Sequence, residues 1–118
     1  MRVIVCGSRT FADQRIMRAV LDGLNPDVVI QGGARGADTF AGRWADDRGA
    51  GHIPCPADWE THGKAAGTIR NQQMLNNNRP VDLVVAFVDK PLAESRGTAD
   101  MVRRARKANV PTYVVEAS

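Results

Sequence analysis

Aromatic residues make up only 5% of this 118-residue chain, and there are just two cysteines and two histidines. So few aromatics leave little material for the stacking platforms on which single-stranded nucleic acids are held. Cys6 and Cys55 are too few and too widely spaced for a disulfide framework or a zinc site, so they read as small buried hydrophobes, and no metal is expected. Long hydrophobic runs are missing too. No segment approaches the roughly 20 apolar residues of a membrane span. The opening Met1-Arg2-Val3-Ile4-Val5-Cys6-Gly7 has too short an apolar run for a signal peptide and reads as a first strand, which gives an expected cytoplasmic location and no membrane partner. There is no internal repeat, low-complexity tract or linker, and the length suits one domain over 1–118. The net charge of +3 and a pI near 9.3 permit an anionic partner, either a small molecule or nucleic acid.

What is present is a regular alternation. Arg2 to Cys6 is rich in β-branched residues and is broken by Gly7-Ser8-Arg9-Thr10. Ile16, Met17, Val20, Leu21 and Leu24 recur at helical spacing, predicting a helix over 13–24 that closes at Asn25-Pro26. The continuous apolar run of 27–31 suits a strand covered on both faces, and Ala37, Phe40, Ala41, Trp44 and Ala45 form the clearest helical stripe, ending near Gly49. Residues 51–55 are a weaker strand, 56–63 an irregular polar stretch, and 64–75 a helix with an ill-defined apolar face. Val81 to Val88 predicts a central strand and 90–95 a loop; Gly97-Thr98 opens a helix that buries Met101, Val102, Ala105 and Ala108, and 111–115 is the last strand. The expectation is an α/β, Rossmann-like domain with a five-stranded, mostly parallel sheet and helices on both faces.

In such a sheet ligands bind beyond the carboxyl ends of the strands. Three glycine turns fall there: Gly7-Ser8-Arg9, Gly32-Gly33-Ala34-Arg35-Gly36, and Arg96-Gly97-Thr98. Their amides could converge on an anion at a helix N-terminus, or the glycines could serve the turns alone. The second turn lacks the six-residue dinucleotide fingerprint, and no Gly-Lys-Ser/Thr of a Walker loop occurs.

Together with Ala37-Asp38, Asp58-Trp59, the run from Gly63-Lys64 to Arg70-Asn71, and Ala99-Asp100, these turns resemble the YspA-like family of the SLOG superfamily. The similarity spans nearly the whole chain. It implies a Rossmann-like fold with a nucleotide-type pocket, and the superfamily includes the LOG phosphoribohydrolases and the DNA-uptake protein DprA. LOG enzymes carry Pro-Gly-Gly-x-Gly-Thr-x-x-Glu, whose glutamate contributes to cleaving the N-glycosidic bond. Anchored on Gly97-Thr98, that glutamate position is Met101 in this sequence. Asp100 sits one residue earlier, a rotation of about 100° around the helix.

The implied ligand contacts are Gly7, Ser8, Arg9, Gly32, Gly33, Ala34, Arg35, Gly36, Asp38, Asp58, Trp59, Lys64, Arg70, Asn71, Arg96, Gly97 and Thr98. Arg70 offers a bidentate fork to an anion or a pocket carboxylate. Asp38 and Asp58 would meet ribose hydroxyls or orient Arg9 and Arg35, with helix capping the open alternative. Trp59 would stack on a base or pack beneath a loop. His62 is a thin candidate for acid–base work. The leading expectation is nucleotide binding without a cofactor. A LOG-like hydrolase using Asp100, Asp58 or Glu94, with Arg70 assisting, is the alternative. Single-stranded nucleic-acid binding through Arg103, Arg104, Arg106 and Lys107 ranks third, since basic residues suit the end of a helix anyway. Homo-oligomerisation follows from the LOG resemblance.

Overall fold

The strand Arg2–Gly7 (β1) holds four consecutive buried residues, Val3 to Cys6, and takes the centre of the sheet because it is apolar on both sides. Val3 and Val5 point into one hydrophobic cluster, Ile4 and Cys6 into the other. The computed structural model describes residues 1–117, and Ser118 lies outside the described residues.

Around β1 stand Val28–Gln31 (β2), Gly51–Pro54 (β3), Leu83–Val88 (β4) and Thr112–Glu116 (β5), in the order β3-β2-β1-β4-β5. Every pairing is parallel, so "mostly parallel" becomes wholly parallel. The chain steps outward from β1 to β3 and then crosses back to β4 on the other side of β1. The switch point of the topology therefore lies between the carboxyl ends of β1 and β4, where open α/β sheets leave a crevice.

Two helices cover each face. Gln14–Leu24 (α1) and Ala37–Arg48 (α2) press Met17, Leu21, Ala41 and Trp44 onto Val3, Val5, Val29 and Phe87. On the other face, Ala66–Asn77 (α4) and Arg96–Lys107 (α5) press Met74, Leu75, Met101 and Val102 onto Ile4, Ile30, Val84 and Ala86. Each fully buried Val, Leu, Ile, Met or Phe among them contributes about 1.5–3 kcal/mol. Asp13 starts α1 by accepting from the Ile16 amide at 3.2 Å, and Asn25 ends it in a left-handed conformation.

The polar stretch after β3 differs from its sequence reading. A four-residue helix, Trp59–His62 (α3), and a 3₁₀ turn, Gly63–Ala65, precede α4, which begins at Ala66 instead of Lys64 and runs to Asn77. Asp58 creates α3 by accepting from the Thr61 amide at 3.1 Å, a local cap that apolar periodicity does not register. The loop between β4 and α5 likewise holds a 3₁₀ turn, Leu92–Glu94. Among the described residues no helix is long and apolar enough to cross a membrane, and no His, Cys, Asp and Glu side chains cluster as a metal site.

Candidate functional site

The loops after β1, β2 and β4 and the first turns of α4 and α5 enclose a cavity of about 520 Å³. That is within the roughly 300–1,000 Å³ typical of small-molecule sites. Cys6 and Gly7 form its base at the end of β1, and burial pushes the Cys6 thiol up, away from ionisation.

The β2 loop is closed upon itself. Asp38, in the first turn of α2 and 5% exposed, accepts from the amides of Gly32 at 3.1 Å and Ala34 at 3.2 Å through the same oxygen. The amide between them, Gly33, donates to Gln31 Oε1 at 2.5 Å. Gln31 thereby turns its amide nitrogen to His52 Nε2 at 3.0 Å, which leaves His52 Nδ1 to donate to Asp46 at 3.0 Å. Gly36 lets the β2 loop lie against the loop after β1: its φ is +73°, and a Cβ there would stand 2.6 Å from the Arg9 carbonyl oxygen.

Asp38 is the electrostatic centre. Burial raises its carboxyl to about 6, against the pull of the Ala34 and Gly32 amides and of the Arg70 and Arg9 charges. Its other oxygen makes no hydrogen bond within the described residues and lies in a residue that lines the cavity. Arg70 crosses from α4 and donates to the carbonyls of Gly32 and, at 3.3 Å, Cys55, while its Nε reaches Asn71 Oδ1 at 3.1 Å. A Cβ at position 32 would stand 2.6 Å from the Arg70 guanidinium carbon, so Arg70 could hold this place beside a larger residue only by shifting.

The start of α5 is open by contrast. No side chain among the described residues caps it, its first turn, Arg96-Gly97-Thr98, lines the cavity, and the amides of that turn have no intrahelical partner, as the first intrahelical bond runs from Ala99 to Ser95. Hydroxyls surround it: Ser95 Oγ donates to Thr98 Oγ1 at 3.1 Å and lies 3.5 Å from Ser8 Oγ. Lys64, Lys90 and Arg96 stand at the rim, and none is ion-paired among the described residues.

The cavity thus gathers Gly7, Ser8, Arg9, Gly32, Ala34, Asp38, Trp59, Lys64, Arg70, Asn71, Arg96, Gly97 and Thr98 from the set picked out in the sequence. Gly33 and Arg35 line a neighbouring hollow instead, and Gly36 serves the turn. Asp58 is exposed and caps α3, where the Thr61 hydrogen bond holds its carboxyl below the usual range. Asp100 is buried behind the cavity, bonded to Asn71 at 3.0 Å and paired with Arg103 at 2.6 Å and Arg104 at 2.8 Å. Two of the four basic residues clustered at the end of α5 therefore neutralise an internal carboxylate. Met101, at the LOG glutamate position, is fully buried in the core. His62 is exposed at the end of α3 and does not line the cavity.

Sequence reasoning passed over Thr10, Thr68, Lys90 and Ser95, which also line the cavity, and named Glu94 only as a substitute carboxylate. The signal for the β4-loop residues was position alone: they follow a buried strand next to the central β1, beside the switch point. Thr10 fastens that loop to the β1 loop by donating to Asp89 Oδ2 at 2.6 Å, which holds the Asp89 carboxyl below its ordinary range.

Residues 1–62 match the family described as "YspA, cpYpsA-related SLOG family". The chain is also similar to the Gene 61 protein of Mycobacterium phage D29, at 42% identity over 120 residues that cover 93% of this chain and 92% of that protein.

Proposed function

This chain belongs to the YspA, cpYpsA-related SLOG family, and from that membership and the geometry of the cavity we propose that it binds a nucleotide-derived small molecule with a phosphate at the start of α5. The observation that carries the reading is the uncapped first turn of α5, whose residues line a cavity rimmed by cations with no ion-pair partner among the described residues. A helix of 12 residues presents partial positive charge there, worth about 0.3–2 kcal/mol to an anion, and each amide adds a directed donor. The free oxygen of Asp38 suits a ribose hydroxyl, and the half-exposed Trp59 at the rim suits a base.

Thermal-shift screening followed by calorimetry tests this against nucleoside monophosphates, diphosphates, cyclic nucleotides and ADP-ribose. Micromolar binding by a member of the panel is the expected result. A folded protein silent to all of them overturns the reading.

One observation favours chemistry as a second reading. Asp38, with its carboxyl raised to about 6, lines the cavity together with Glu94, so a hydrolase would use these two and not Asp58 or Asp100. Release of free base from nucleoside 5′-monophosphates, abolished in Asp38→Asn, is the result that reading requires.

A further inference from the structure

Beside the main cavity lies a second hollow of about 380 Å³. Arg9, Gly32, Ala34, Trp59 and Arg70 line both spaces, so the two share a wall. The lining of the second contains three arginines, Arg9, Arg35 and Arg70, and no acidic residue. None of the three is ion-paired among the described residues. Arg70 is held by the Gly32 and Cys55 carbonyls, whereas the Arg9 and Arg35 side chains are exposed and make no hydrogen bond within the described residues. Asp38, which faces Arg9 and Arg70 electrostatically, lines only the main cavity and spends one oxygen on the β2-loop amides.

We propose that this arginine-lined hollow is a second phosphate subsite, and that the ligand is a nucleotide bearing two phosphate groups, one at the start of α5 and one between Arg9 and Arg35. The inference rests on the nucleotide reading of the main cavity. Charge supports the count: Arg9, Arg35, Lys64, Arg70, Lys90 and Arg96 line the joined spaces against Asp38 and Glu94 alone. One phosphate monoester carries about −2 at neutral pH and leaves this rim positive, while two bring it close to balance. Guanidinium forks match phosphate oxygens in pairs, which is the chemistry the hollow offers. Trp59 stands at the junction, placed to report on both spaces.

Titrating the full chain with the 5′-monophosphates, 5′-diphosphates and 3′,5′-bisphosphates of adenosine, guanosine, cytidine and uridine tests the proposal, by calorimetry and by fluorescence of Trp59. The expected result is that a doubly phosphorylated nucleotide binds at least about tenfold more tightly than the 5′-monophosphate of the same base. The two doubly phosphorylated series separate adjacent phosphates from phosphates set apart by the sugar. Arg35→Gln, an exchange at an exposed side chain with no partner among the described residues, should shrink that ratio to about twofold or less. Equal affinity for singly and doubly phosphorylated nucleotides, or a ratio unchanged in Arg35→Gln, overturns the second subsite and leaves the nucleotide reading standing. Absence of binding by every nucleotide in this panel overturns the second subsite, and silence that extends to the cyclic nucleotides and ADP-ribose overturns both.

Discussion

Two glycine-bearing turns of this protein follow parallel strands, run into 12-residue helices and border the same cavity, yet one is finished and the other is not. After β2, the amides of Gly32, Gly33 and Ala34 are all claimed, two by Asp38 and one by Gln31. The protein supplies its own anion there. At the start of α5 no side chain among the described residues performs that service, and the first-turn residues Arg96, Gly97 and Thr98 line the cavity beside Ser8 and Ser95. The difference shows that glycine content marks where backbone amides are accessible, while the side chain one turn further along decides whether they remain available to a ligand. Asp38 in α2 fills that role, and α5 has no equivalent.

The harshest way to break this comparison is to remove what both turns lean on. Gly7 lies at the base of the cavity, and a Cβ there would collide with the Phe87 carbonyl oxygen and stand 2.7 Å from Ala37 Cβ. Gly7→Ala should destabilise the fold by at least about 3 kcal/mol, since β1 is fixed between β2 and β4 and cannot shift away. Urea unfolding with an unchanged midpoint would contradict this.

Asp38 offers the next largest effect and addresses the closed turn directly. Its folded-state value of about 6 lies above the ordinary 3.8, so the folded protein holds the proton more tightly than the unfolded chain does. Stability should therefore fall as pH rises from about 4 to 6, by on the order of 2–3 kcal/mol, and level off above. In Asp38→Asn the amide oxygen still accepts from the loop but carries no charge. The variant should be the more stable protein at pH 8, and the advantage should vanish below pH 4. Denaturation midpoints measured across that range check the sign, and parallel profiles for the two proteins would show that Asp38 is not desolvated in solution.

The smallest expected change probes the open turn. Thr98→Val removes a hydroxyl from the first turn of α5 at nearly constant volume and should weaken nucleotide affinity by about five- to tenfold, near 1 kcal/mol. Calorimetry on wild type and variant reads this. Undiminished affinity would place the ligand away from α5.

The architecture was open to sequence reasoning because its signals are local and periodic. The buried run Val3 to Cys6, the stripe Ala37-Phe40-Ala41-Trp44-Ala45 and the spacing of glycines after strands specify element type and order without knowledge of any neighbour. The α3 helix escaped because a single aspartate cap creates it, with no buried residue to mark it. Among site residues, sequence reasoning put Asp38 and Asp58 together as ligand contacts and looked to Asp100, Asp58 or Glu94 for a catalytic carboxylate, since Asp38, Asp58 and Asp100 all stand beside glycine or aromatic motifs. Their fates differ by environment: Asp58 caps a short helix in solvent, Asp100 is buried against Arg103 and Arg104, and Asp38 lines the cavity.

By itself, the sequence determined the alternating α/β order and the carboxyl-end rim on which the glycine turns stand, because hydrophobic period and glycine position act within one segment; it picked Val81 to Val88 as the central strand, whereas pairing puts β1 in the middle with β4 beside it. Only the tertiary structure decided which glycine turn keeps its amides open. That choice depends on where Asp38, Gln31 and Arg70 come to rest, and Arg70 reaches the β2 loop from 38 residues further along the chain.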